Sequence, residues 1–338
     1  MADGRFGVGA VDAASAFEPS RCSVSLVVPC YSLERAADIL SLLDSVDRQT
    51  VPVDELLVVV QKSEPLFDLV RQRLSSMRVS ESRAIYLDAE PRVSMARNHA
   101  VRQSRGDVVA FVDDDAVLAE NWCTETKRFY TQYPDAAGVA GAILPLWDTL
   151  SMAWFPRELY WMLSCTYWRS DTPQVVRNGY GANMSFRRVA FENGRLFSEA
   201  LGISGWGSTG WHGVGGEEPE FSRRVTRQTG RHIYFVSDII VWHRVRRYRL
   251  ALSALMRRAY WEGRFKAAFR REGERSERTL ETERRLLELL LRSGLKRLWS
   301  VASEPRLALR QQGIVCVSLA CVGAGFIEGT ARRTRIRH

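Results

Sequence analysis

The sequence predicts an α/β fold: a doubly wound, mostly parallel, Rossmann-like sheet, then a looser second half and a helical C-terminal extension. Three observations carry that expectation. Four short apolar runs alternate with residues at helical spacing over the first part of the chain. The runs are continuous and rich in Val, Leu and Ile, as strands covered on both faces are. The fourth run, Val108 to Val112, ends abruptly in Asp113, Asp114 and Asp115. Clustered negative charge then falls at the carboxyl edge of the sheet, where open α/β sheets bind ligands.

Taken in order, Val24 to Val28 is the first strand, closed by Pro29. Ile39, Leu42, Leu43 and Val46 recur at helical spacing behind it. Leu56 to Val60 is a second strand, and Leu66, Leu69, Val70, Leu74 and Met77 mark a second helix. Ala84 to Leu87 is a third strand, Ser94 to Ser104 a third helix, and Gly106 opens the aspartate strand. From Pro134 the pattern loosens into the short apolar runs Ala137 to Leu144, Tyr180 to Phe186 and Ile233 to Val241. The expected organisation is a disordered 1–21 and a catalytic unit 22–245, divided into a nucleotide-binding half (22–133) and an acceptor half (134–245). A basic helical extension, 246–338, completes it.

The 338 residues carry a net charge of +9, unevenly spread. From Arg244 onward, 23 Lys and Arg stand against 9 Asp and Glu, so this third is +14 and the remainder −5. The uncharged run Gly313 to Ile327 has 15 residues, fewer than the roughly 20 a spanning helix needs. Flanked by Arg306 and Arg310 and by the terminal Arg332, Arg333, Arg335 and Arg337, it is expected to lie in or re-enter an anionic membrane surface, the alternative being a buried helix. The six cysteines form no C-x-x-C pair, and the first twenty residues show no apolar core behind a basic start. Reduced thiols and a cytoplasmic location, peripheral on the inner face of the membrane, are expected.

On its own the Asp triplet reads equally as an acidic surface turn; a divalent cation and a diphosphate between the carboxylates would explain their crowding. The surrounding motifs decide. Val27-Val28-Pro29-Cys30-Tyr31, Ala96-Arg97-Asn98, Phe111-Val112-Asp113-Asp114-Asp115, Gly181-Ala182-Asn183-Met184 and Gly215-Gly216-Glu217-Glu218 occur in that order. Together they resemble the family-2 glycosyltransferases, which have the GT-A fold. The resemblance implies a donor site at Pro29, Tyr31, Arg97, Asn98, Asp113 and Asp114, with Asp113 on the ribose side. It implies Asp115 as ligand of a Mn²⁺ or Mg²⁺ ion bridging the diphosphate of a nucleotide sugar. Trp206, Trp211, Gly213, Gly215 and Gly216 precede the acidic pair as in the family's W-G-G-E-D segment, making Glu218 the general base and Glu217 an acceptor-orienting residue. An acidic helix N-terminus stabilised by its dipole is a compatible structural reading. His243 reads equally as a late metal ligand of GT-A enzymes and as a hydrogen-bonded histidine.

Two departures from the family pattern stand out. Gln61-Lys62-Ser63 closes the second strand where relatives carry an Asp for uracil; Gln61 can still bond a base edge. The Q-x-x-R-W pattern of processive synthases is absent, which favours single-sugar addition. The tail around Ala259-Tyr260-Trp261-Glu262-Gly263 resembles a subgroup acting on lipid-linked acceptors, dolichyl-phosphate glucuronosyl-type enzymes among them. The expected partners are a nucleotide-sugar donor, read here as a UDP-sugar, a hydroxyl acceptor on a polyprenyl-linked glycan and an anionic membrane, with no nucleic acid. Two competing readings are nucleotidyl transfer, for which Pro29 to Arg35 lacks a glycine-rich phosphate loop, and a basic nucleic-acid-binding protein without a recognisable module.

Overall fold

The computed structural model describes residues 22–200, 216–271 and 277–331. The expectations for 1–21, for Trp206, Trp211, Gly213 and Gly215, and for Arg332, Arg333, Arg335 and Arg337 lie outside the described residues. The first half alternates as its patterning requires: β1 (Val24–Cys30), α1 (Ala36–Asp47), β2 (Glu55–Gln61), α2 (Glu64–Leu74), β3 (Glu81–Leu87), α3 (Val93–Gln103) and β4 (Val108–Phe111). Strands β3, β2, β1 and β4 lie side by side and parallel.

Side-chain alternation divides the core between the two sheet faces. Leu26, Val28, Leu56, Val58 and Val60 pack with Ile39, Leu42 and Leu43 of α1 and Leu66 and Val70 of α2. Val27, Leu57 and Val59 pack with Ala96, Ala100 and Val101 of α3. Both faces are covered, which is why these runs are apolar throughout. Pro29 does not end its strand: it pairs with Val59 inside β1, which runs on to Cys30.

The second half completes one sheet with β5 (Ala116–Leu118), β6 (Gly138–Trp147), β7 (Gln174–Val176), β8 (Met184–Arg187) and β9 (Ile233–Val245), around α4 (Trp122–Gln132) and α5 (Glu217–Thr229). The strand order is β3-β2-β1-β4-β8-β6-β9-β5, with β7 also on β9. β8 runs antiparallel to both β4 and β6, so the sheet is mixed beyond β4. Asn183 stitches this half together. Its amide nitrogen donates to the carbonyls of Ala142 and Ile239, both at 2.9 Å, and its oxygen accepts from the Trp122 indole at 3.0 Å. These bonds sit where the β6–β9 register shifts between Gly141 and Ala142.

The extension forms α6 (Leu252–Arg271), α7 (Glu277–Ser300) and α8 (Pro305–Ala331). The helix holding the uncharged run has 27 residues, with a mean hydropathy of 1.8 over an 18-residue window, so by length and composition it could cross a membrane. That revises the expectation that the segment is too short. α8 packs on α6 at backbone distance: a Cβ at Gly263 would run into the Val322 carbonyl, and one at Gly325 into that of Tyr260. Tyr260 also hydrogen-bonds Glu328 across the pair.

Candidate active site

The aspartates lie in the turn between β4 and β5. β5 pairs antiparallel with β9, setting Ala116 opposite His243, and the Arg244 amide donates to the Asp115 carbonyl at 2.9 Å. This pairing brings His243, distant in sequence, to Asp115, with Nε2 3.2 Å from Oδ1. His243 is therefore inside β9, which continues to Val245, and not at a strand end. Asp113, Asp115 and His243 each offer a ligand atom, all within 4.8 Å of one another.

Asp115 and His243 are buried, whereas Asp113 is 32% exposed and opens the group to solvent. Among the described residues His243 Nδ1 is buried without a hydrogen-bond partner, and Asp115 Oδ1 has the His243 ring nearby at 3.2 Å but no well-aligned donor. A buried carboxylate oxygen is costly to leave unsatisfied, so the trio fits a hard divalent cation of the Mn²⁺ or Mg²⁺ class. Burial pushes the carboxyls of Asp113 and Asp114 upward. Burial acts on Asp115 too, but His243 and Arg35 outweigh it and hold that carboxyl well below the ordinary range. Asp114 pairs instead with Arg35, which also approaches Asp115 Oδ2 at 3.3 Å. Arg35, in the short 3-10 turn before α1, escaped the sequence reading; its place against two aspartates has no local signal.

Arg97 of α3 is buried and joins two acidic groups. Its Nη2 lies 3.4 Å from Asp113 Oδ1, and its Nη1 lies 3.3 Å from Glu218 and 3.8 Å from Glu217. The rings of Phe111 and Phe197 flank the guanidinium, with centroids 5.9 and 5.7 Å away. Burial disfavours a cation there, yet the surrounding carboxylates hold Arg97 in its charged form more firmly than usual. Gly181 makes room for it: a Cβ would strike the guanidinium and stand 2.8 Å from Glu218 Oε1.

Glu217 and Glu218 occupy the first turn of α5, where unpaired amides favour negative charge. Glu217 is buried, its Oε2 accepts from the Gly216 amide at 3.0 Å, and burial together with Glu218 pushes its carboxyl up to about 8. The Glu218 side chain retains 19% exposure. Gly216 has φ +124°, open to glycine at little cost, and a Cβ there would run into the ring of Phe265 from α6. No sequence pattern marked Phe265.

The remaining predicted residues sit at the ends of β1 and β2 and on α3. Asn98 accepts from the Phe197 amide at 2.8 Å and donates to the Phe197 carbonyl at 2.9 Å and Glu199 at 3.0 Å, pinning the 197–199 segment. Gln61 is buried, donating to the Glu90 carbonyl at 3.3 Å and accepting from the Arg92 amide at 3.2 Å. Pro29 and Tyr31 are half-buried at the end of β1.

A family model described as glycosyl transferase family 2 matches residues 25–195. The chain is 30% identical over 313 residues to a glucosyl-dolichyl phosphate glucuronosyltransferase of Haloferax volcanii, a match spanning 90% of this chain and 96% of that protein. It is 33% identical over 132 residues to the succinoglycan biosynthesis protein ExoM of Rhizobium meliloti, across 37% of this chain and 40% of the other. Among solved structures, mannosyltransferase PcManGT of Pyrobaculum calidifontis, in complex with GDP-Man and Mn²⁺, superposes with a TM-score of 0.60 at 18% identity, covering 94% of this chain and 90% of that one. That structural likeness bears on the fold.

Proposed function

This chain belongs to glycosyl transferase family 2 and is a glycosyltransferase of the GT-A fold; on that premise we propose that it moves one sugar from a nucleotide sugar, a UDP-sugar in our reading, to a hydroxyl of a lipid-linked acceptor, with inversion. The observation that carries the proposal is the gathering of Asp113, Asp115 and His243, with the buried Arg97 joining Asp113 of that trio to Glu218.

Asp113, Asp115 and His243 would hold the divalent cation, Mn²⁺ or Mg²⁺. When bound, that ion supplies Lewis-acid stabilisation for a departing nucleoside diphosphate. Glu218 takes the proton from the acceptor hydroxyl as its oxygen attacks the anomeric carbon. The carbon–oxygen bond to the diphosphate breaks in the same displacement, which inverts the centre. Burial and Glu218 push the Glu217 carboxyl up to about 8, which favours its protonated form at neutral pH and leaves Glu218 as the assigned base. Its neutral carboxyl suits orientation of the acceptor. Arg97 fixes Glu218 relative to Asp113.

The lipid-linked acceptor is supported by the similarity to the Haloferax glucosyl-dolichyl phosphate glucuronosyltransferase, and the anionic cytoplasmic membrane surface by the +14 charge beyond His243. A panel of UDP-, GDP- and dTDP-sugars, UDP-glucuronic acid included, tested with Mn²⁺ on glycosylated polyprenyl phosphates checks the reading. One UDP-sugar should yield a product of inverted anomeric configuration. Retained configuration, or turnover confined to GDP- or dTDP-sugars, would overturn the corresponding part.

A further inference from the structure

We propose that the outward stripe of α7 is the face on which the chain lies against an anionic bilayer. The inference rests on the membrane part of the proposed function and not on its chemistry.

Leu291, Leu295 and Trp299 follow one another at i, i+4 and i+8, so they share one side of α7. They are 68%, 60% and 85% exposed. Arg297, on the opposite side, is buried and ion-pairs with Glu158, and its Nη1 donates to Gln312 of α8 at 3.0 Å. Leu290 packs inward against the core on the same side as Arg297, so α7 is anchored by that face while Leu291, Leu295 and Trp299 form a second, outward apolar stripe. Val301 in the connecting turn and Leu307, Leu309, Leu319 and Ile327 of α8 are exposed as well.

An exposed apolar stripe on one side of a helix marks a place of interaction, and three features identify a bilayer. Trp at the edge of an apolar stripe is the side chain that prefers the headgroup boundary. Arg292, Lys296, Arg306 and Arg310 are exposed around the stripe, against Glu288 and Glu304. The tail as a whole is +14 while the rest of the chain is −5. That field draws an anionic surface and opposes the stacking of two such tails in a dimer. An amphipathic helix of this kind lies in the interface with its apolar side about 5–10 Å into the headgroup boundary.

The test is co-sedimentation of the full chain with phosphatidylglycerol-containing vesicles at low salt, beside pure phosphatidylcholine vesicles. The wild type should sediment with the anionic vesicles and leave them as salt rises. The triple variant Leu291→Gln, Leu295→Gln, Trp299→Gln should lose at least about tenfold of that binding. Transfer to a short-chain, water-soluble acceptor should be unchanged, because the stripe is remote in sequence and contact from the site. Should the triple variant misfold, Arg292→Gln, Lys296→Gln, Arg306→Gln provides the second arm, with binding lost at lower salt. A triple variant that binds like the wild type overturns the proposal, as does a wild type that stays in the supernatant. A stripe whose loss converts dimer to monomer overturns it too, since the occupant is then a second copy. Vesicle binding without turnover of any donor would leave this face standing and sink the chemistry instead.

Discussion

Phe265 of α6 lies against Gly216 so closely that any side chain at 216 would enter its ring. Gly216 starts the helix whose first turn carries Glu217 and Glu218. The C-terminal extension therefore touches the position of the acidic pair, and α8 in turn holds α6 through the glycine contacts at 263 and 325. On the proposed chemistry this contact gives Phe265 a positioning role, acting through the backbone at 216.

Phe265→Ala should lower kcat by about tenfold while leaving donor KM nearly unchanged, a loss of order 1.4 kcal/mol in the transition state. Phe265→Leu, which keeps most of the packing, should recover much of it. Steady-state kinetics with melting curves checks this; a variant with normal kcat would remove the positioning role. Gly216→Ala should be worse, since it combines a positive φ with a collision, and strain of this kind costs about 1–3 kcal/mol.

Glu218→Gln should reduce transfer by roughly 10²-fold or more and leave donor affinity in place, because it removes a proton acceptor without altering shape. Comparison with Glu217→Gln separates the two roles. A dead Glu217→Gln beside an active Glu218→Gln would reverse the assignment.

The Glu217 carboxyl sits at about 8 in the folded chain against an ordinary 4.5. Between those values the folded state keeps a proton that the unfolded state has released, so stability declines as pH rises through the window. Glu217→Gln is neutral throughout and should flatten that decline. Calorimetric melting from pH 5 to pH 8.5 gives the comparison; parallel curves for the two proteins would contradict the burial of a neutral Glu217.

Arg97→Ala leaves Asp113 and Glu218 without their shared cation and should destabilise the fold by about 3–5 kcal/mol, the cost of breaking a buried ion pair on one side. Arg97→Lys keeps the charge but loses the two-nitrogen reach from Asp113 to Glu218. It should fold, with depressed kcat, in a melting and turnover comparison.

The parallel half was legible because residues such as Val58 and Val59 face opposite cores, which forces an unbroken apolar run. The acidic turn was legible for the same reason: charge stops such a run abruptly. The short β5 was not, since three residues carry little periodicity and its strand exists through pairing with β9. That pairing is also what places His243 at Asp115. Arg35 and Phe265 depend on contacts between distant segments, and the sequence holds no local trace of them. The uncharged run at 313–327 was seen, but its helix begins eight residues earlier at Pro305, among charged and polar residues that hydropathy alone does not join to it.

The central claim is a metal-dependent transfer built on Asp115. Mn²⁺-dependent transfer from the active nucleotide sugar, measured for wild type and Asp115→Asn with and without EDTA, tests it most directly. Both the variant and the chelated wild type should be inactive, with the variant's melting curve close to that of the wild type and its Mn²⁺ binding lost. Undiminished turnover in Asp115→Asn, or in wild type with EDTA, would contradict the account.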